Sequence, residues 1–157
     1  MPAPAISHVI GTTGLIVLIF VMPYFYYHVV DNVQTDVITR ELKELTDYTS
    51  NTIENLYFLI NSTNSGDISL EKELVYLPST VENAFYSLEI VSNDNKTASN
   101  VRATAYVENN QSVVVNSWLI PGLNLDQRNI RIESNEKNVV VCCSREEEGV
   151  NVWITYG

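Results

Sequence analysis

Residues 6–30 are predominantly apolar, and beyond residue 30 the same helical period continues with charged residues admitted on every face but one. The first 30 positions contain no Asp, Glu, Lys or Arg. A run of this length suits a helix that crosses the hydrocarbon core of a bilayer. In water it needs lipid, or copies of itself, around it. Further on, Val30, Val33, Val37, Leu42, Leu45, Tyr48, Thr52, Leu56 and Leu59 recur at helical spacing, while Asp31, Asp36, Arg40, Glu41, Lys43, Glu44 and Asp47 take the other faces. No Gly or Pro falls between Val30 and Asn64, so the pattern predicts one continuous helix, apolar over 6–30 and amphipathic over 31–60. Pro23 removes a backbone donor inside it and predicts a kink or a locally melted turn. Gly11 and Gly14, flanking Thr12 and Thr13, make the first turns thin enough for close helix packing.

The helical period ends in Asn61-Ser-Thr-Asn-Ser-Gly-Asp67, where Gly66 is placed to take a left-handed cap. The period then drops to two. Short β-like runs cover 73–77, 85–91, 101–108, 112–120, 129–133, 139–143 and 150–156, with turn-forming clusters between them. Val101, Ala103, Ala105 and Val107 alternate with Arg102, Thr104 and Tyr106; Val150, Val152, Ile154 and Tyr156 alternate with Asn151, Trp153 and Thr155. The expectation is an α+β chain: a long N-terminal hydrophobic helix over 1–62, then an immunoglobulin-like antiparallel β-sandwich over 63–157.

Charge narrows the function. With 9 Lys and Arg against 19 Asp and Glu, the net charge of -10 leaves nothing to replace phosphate counterions, so no nucleic-acid partner is expected. An acidic surface with abundant Asn, Ser, Thr and Tyr suits the cell exterior. The opening lacks the basic start of a secretory signal, and its apolar run is too long for one, so we expect it to be retained.

Chemistry is sparse. His8 and His28 stand twenty positions apart on the apolar helix, with no carboxylate near His8 to orient it, and read as helix-surface histidines. No phosphate loop, zinc-protease or nucleophile-elbow motif occurs, and the turn after residue 60 has Asn, Thr and Ser where a calcium loop wants carboxylates. No enzyme activity, metal or cofactor is expected. Glu146-Glu-Glu148 reads as a solvated hairpin tip. Cys142 and Cys143 are neighbours on a predicted strand, with side chains to opposite faces. One reading is a buried thiol beside an exposed one; the sharper reading is a vicinal disulfide, against the separation that ordinary bridges need. Asn61, Asn95 and Asn110 open Asn-x-Ser/Thr sequons in predicted turns and are candidate N-glycosylation sites.

The phrase Ala5-Ile-Ser-His-Val-Ile-Gly-Thr-Thr-Gly-Leu-Ile-Val-Leu-Ile-Phe20 resembles the start of archaeal type IV pilin-like proteins, archaellins included. Pro23 is similar in position to the helix-breaking proline of bacterial type IV pilins, whose early acidic residue is absent here. The resemblance implies a homopolymer on the cell surface, membrane-inserted before assembly. Ile6, Val9, Ile10, Gly11, Gly14, Val17, Leu18, Val21 and Pro23 would lie in the filament core and the β-domains in its outer shell. It also implies a prepilin peptidase and an assembly ATPase with its membrane platform as partners. The competing expectation is a monotopic stator component of an archaellum-like machine, whose helix stays in the membrane while its β-domain binds the surface layer.

Overall fold

The computed structural model describes residues 3–63, 66–92, 96–107, 111–126, 130–134, 138–146 and 149–157; the side chains of residues 3–7, 31 and 111 are outside that description. Helix α1 runs over Ala3–Ser62, and its helical assignment is continuous through Pro23, with no melted turn. The chain forms two compact units, Met1–Asp36 and Val37–Gly157. Among the described residues, the first is helix alone. The second combines the last turns of α1 with strands β1 (Ile68–Glu73), β2 (Tyr86–Ser92), β3 (Ala98–Val107), β4 (Gln111–Trp118), β5 (Leu123–Leu125), β6 (Arg131–Glu133), β7 (Val139–Glu146) and β8 (Gly149–Tyr156).

The strands make two four-stranded sheets, ordered β1-β7-β8-β5 and β4-β3-β2-β6. Every strand pair is antiparallel except β5 with β8. Alternation decides which side chains turn inward. Val101, Ala103 and Ala105 on β3 and Val152 and Ile154 on β8 are fully buried, together with Leu88 on β2, Val141 on β7 and Leu123 on β5. Both sheets contribute to one buried apolar cluster, and α1 joins it.

The helix enters that cluster through Ile38, Leu42, Ile53 and Ile60, all fully buried, with Leu45 and Leu56 nearly so. Burying each such side chain is worth about 1.5–3 kcal/mol. Several polar residues share this face, and their hydroxyls are satisfied locally. Thr46, Thr49 and Thr52 donate to the carbonyls of Lys43, Leu45 and Tyr48, at 3.0, 2.9 and 2.8 Å. A hydroxyl that bonds back to its own helix can be buried without the cost of an unpaired group.

Three local expectations are corrected. The first strand covers Ile68–Glu73 rather than 73–77, because Leu74 is drawn into the core and the chain turns at Val75 and Tyr76. The sequence after Pro121, expected as a turn alone, turns at Gly122 (φ 98°) and then forms β5, paired parallel with β8. The third is the helix end: α1 stops at Ser62, four residues before Gly66, so the glycine does not stand at its end. Instead Ser62 Oγ and Thr63 Oγ1 each donate to the Leu59 carbonyl at 2.8 Å, and Arg145 Nη1 donates to the Thr63 carbonyl at 3.0 Å, so side chains do the work of the glycine cap.

Candidate functional site

The feature that stands out is the apolar part of α1 itself. Its large apolar side chains between Val9 and Val30 are exposed all round the helix, from 42% at Val21 to 75% at Phe20. Val9, Ile10, Val17, Leu18 and Val21 all belong to this exposed set; the side chain of Ile6 lies outside the described residues. Nothing stands within 4 Å of where a Cβ would sit on Gly11 or Gly14, so packing within the chain does not require glycine at either position. Thr12 Oγ1 donates to the His8 carbonyl at 2.7 Å and Thr13 Oγ1 to the Val9 carbonyl at 2.8 Å. These bonds fold the hydroxyls back onto the backbone and leave an outer surface that is apolar and uncharged. Among the described residues, one helix, His8–Ser62, is long and apolar enough to cross a membrane.

The strand edges of the second unit are engaged or guarded. On β4, the Asn116 carbonyl accepts from Lys43 Nζ at 3.2 Å and the Trp118 carbonyl from Ser50 Oγ at 2.7 Å, both from α1. On β6, the Tyr156 hydroxyl donates to the Glu133 carbonyl at 3.1 Å and accepts from the Glu133 amide at 2.8 Å. β1 carries exposed Glu71, Lys72 and Glu73, and β5 is three residues long. Charges, short strands and side-chain caps are the ordinary means of keeping an edge from recruiting another strand.

Among the described residues, the titratable groups give no reactive centre. Cys142 and Cys143 are both buried and both free thiols, so the pair has no exposed member. Burial pushes Cys142 up to about 11, helped by the nearby Glu71 charge, and pushes Cys143 up to about 12, helped by Cys142. Thiols held that high are poor nucleophiles at neutral pH. Tyr86 is raised to about 12 by burial, and its hydroxyl donates to the Pro78 carbonyl at 2.7 Å. Two open clefts lie on this unit, one of about 350 Å³ along Phe85, Tyr106 and Glu133, the other of about 570 Å³ along Glu41, Glu44 and Glu82. Neither has a His, Lys or Cys in its wall. Among the described residues no group of three His, Cys, Asp or Glu could hold a metal ion. His8 is exposed on the helix, and His28 stands edge-on to Tyr24, with ring centroids 4.6 Å apart.

Of the three sequons, Asn95 and Asn110 lie outside the described residues. Asn61 is exposed, but in the last turn of α1 rather than in a loop, and its Oδ1 accepts from Arg145 Nη2 at 2.8 Å. The partnership with Arg145, 84 positions away, has no signal in the sequence.

Comparison of the chain with protein-family models, with curated proteins and with solved structures gives no match.

Proposed function

We propose that this chain is the structural subunit of an archaeal type IV pilus-like surface filament, membrane-inserted before assembly. In that reading the charge-free helical segment forms the filament core, with Ile6, Val9, Ile10, Gly11, Gly14, Val17, Leu18, Val21 and Pro23 in it. The sheet-bearing unit forms the outer layer, and the two sheets are read as an immunoglobulin-like sandwich. The observation that carries the reading is the exposure of an apolar, uncharged helix on every face. Such a surface is stabilised when it leaves water, by about 25 cal/mol per Å² of apolar area, and over a helix of this length that amounts to tens of kcal/mol before association costs. The guarded strand edges add support, because they disfavour association by strand pairing. A peptidase that removes a leader and an ATPase-driven platform would serve assembly, and no enzymatic activity of the chain itself is invoked. Glycans on Asn61, Asn95 or Asn110 would belong to the outer layer.

The test is treatment of sheared cell-surface material with mild detergent, followed by sedimentation and microscopy. The chain should pellet within filaments that survive dilution, because each helix is held by many copies. Recovery only as detergent-bound monomers or dimers, with no filament containing it, would make the stator anchor the better account.

A further inference from the structure

Five ring-bearing residues, Tyr24, Phe25, Tyr26, Tyr27 and His28, follow one another directly after Pro23. Successive helix positions are about 100° apart, so five in a row go once round the axis. All five are exposed. Tyr24 stands edge-on to Phe25 and to His28, with centroids 6.3 and 4.6 Å apart, and Tyr27 stands edge-on to His28 at 6.2 Å. The rings therefore form a braced band around the helix rather than a stripe along it. A helix that packs on one partner needs only a stripe. A band suits surroundings that are alike on all sides.

Polarity changes sharply across this band. On the N-terminal side no charged residue occurs, and the hydroxyls of Thr12 and Thr13 are turned onto helix carbonyls. The helical rise over residues 3–23 is about 30 Å, the thickness of a bilayer's hydrocarbon core. On the other side, after Val29 and Val30, come Asp31, Asn32, Gln34, Thr35 and Asp36, interrupted only by Val33. Tyr and His present an apolar ring with a polar tip, the combination that sits best where hydrocarbon meets water.

We propose that Tyr24, Phe25, Tyr26, Tyr27 and His28 form an interfacial collar seated in the headgroup layer of a lipid bilayer, fixing the depth at which the helix is held. The inference rests on the reading of this helix as membrane-inserted before assembly. The collar sets a boundary: residues before Pro23 lie in hydrocarbon and residues from Asp31 onward in water.

The test uses the full chain in vesicles of phosphatidylcholine and phosphatidylglycerol, with a nitroxide attached at Leu18→Cys, Tyr26→Cys or Gln34→Cys in turn. The parent chain, treated in parallel, gives the background from Cys142 and Cys143. Collision with dissolved oxygen, against collision with a water-soluble nickel chelate, reports depth. Position 18 should favour oxygen severalfold, position 34 should favour the chelate, and position 26 should fall between them. In a Tyr24→Leu/Tyr27→Leu background the apolar span lengthens, and the label at position 26 should shift toward the value found at 18. A label at position 26 as deep as 18, as wet as 34, or unmoved by the two leucines overturns the collar while leaving insertion intact. A chain that floats free of the vesicles, with all three labels in water, overturns the membrane reading and the collar with it.

Discussion

Ser117 Oγ on β4 donates a 2.5 Å hydrogen bond to Asp47 Oδ1 on α1, which ties the helix to a sheet across 70 positions of sequence. Lys43 Nζ reaches the same carboxylate oxygen at 2.8 Å and also the Asn116 carbonyl at 3.2 Å. The three side chains form a latch over the end of β4.

The latch predicts a pH-dependent loss of stability. Burial raises the Asp47 pKa, but hydrogen bonds from Lys43 and Ser117 and the Lys43 charge outweigh it, so the carboxyl titrates below its ordinary value of 3.8. A carboxylate with a depressed folded-state pKa stabilises the fold fully above the unfolded value, and that contribution is lost as pH falls through the folded value. Asp47 is 44% exposed, so solvent screening keeps the ion-pair share small, about 0–1 kcal/mol. We expect Asp47→Asn and Ser117→Ala each to lower stability at pH 7 by about 0.5–1.5 kcal/mol, non-additively, in urea titrations. The gap between the parent and Asp47→Asn should close in acid, below pH 3.8. A gap that is the same at pH 3 and pH 7 would argue against the latch.

How much of this was legible in the sequence differs from residue to residue. The helix, its charge-free half and the inward alternation of β3 and β8 follow from periodicity, which needs no tertiary information. The phase of the amphipathic face does not. Helical spacing puts Val37 and Leu59 on the buried stripe, whereas their neighbours Ile38 and Ile60 are the fully buried ones and Leu59 is 56% exposed. Where two apolar residues are adjacent, a helical wheel cannot say which faces the core; the sheets against it decide. The Ser117, Tyr156 and Arg145 contacts join residues far apart in the chain, and no local pattern marks them. The five rings after Pro23 follow one another in the sequence, but periodicity does not single them out, and their closure round the axis depends on a helix continuous through Pro23.

The second prediction concerns where the folded unit begins. A fragment spanning Val37–Gly157 keeps Ile38, Leu42, Ile53 and Ile60 and should fold cooperatively, with both helical and β signals in circular dichroism. A fragment over 66–157 lacks all four. Truncating a single buried Leu or Ile to Ala costs about 2–5 kcal/mol, so losing four, about 8–20 kcal/mol, is comparable to the whole 5–15 kcal/mol that typically holds a domain together. The shorter fragment should aggregate or remain unfolded. A cooperative urea transition from it would show that the sheets do not need the helix.

The third concerns the thiols. Because Cys142 and Cys143 titrate near 11 and 12 instead of 9.0, the folded chain holds protons that the unfolded chain releases. Stability from this source is complete below pH 9.0 and is lost as pH rises toward 11 to 12. An aromatic disulfide reagent at pH 7.5 should modify neither thiol in the folded chain over minutes, and both within seconds in 6 M guanidinium. Cys143→Ser places a hydroxyl among apolar neighbours and should cost about 1–3 kcal/mol. Fast modification of the native chain at neutral pH would mean that Cys142 or Cys143 is open to solvent.

The last prediction separates the two halves of the helix by one substitution. Leu18 is 56% exposed and belongs to the unit Met1–Asp36, so it contributes nothing to the core built on Val37–Gly157. Leu18→Asp should therefore leave the urea midpoint of that core unchanged. In a bilayer, or against the apolar helices of sister chains, the same change puts a carboxylate where water is absent. By insertion scales this costs about 2.5–3.5 kcal/mol at the centre of a membrane, a drop of about a hundredfold in the inserted fraction. Leu18→Ala removes apolar area without adding charge and should retain most of the insertion. The ordering to look for is parent, then Leu18→Ala close behind, then Leu18→Asp far below, both in alkaline carbonate extraction of membranes and in filament counts by electron microscopy. Normal filaments from Leu18→Asp, with the protein folded, would place residue 18 at a wet surface and remove the helix from the core of the assembly.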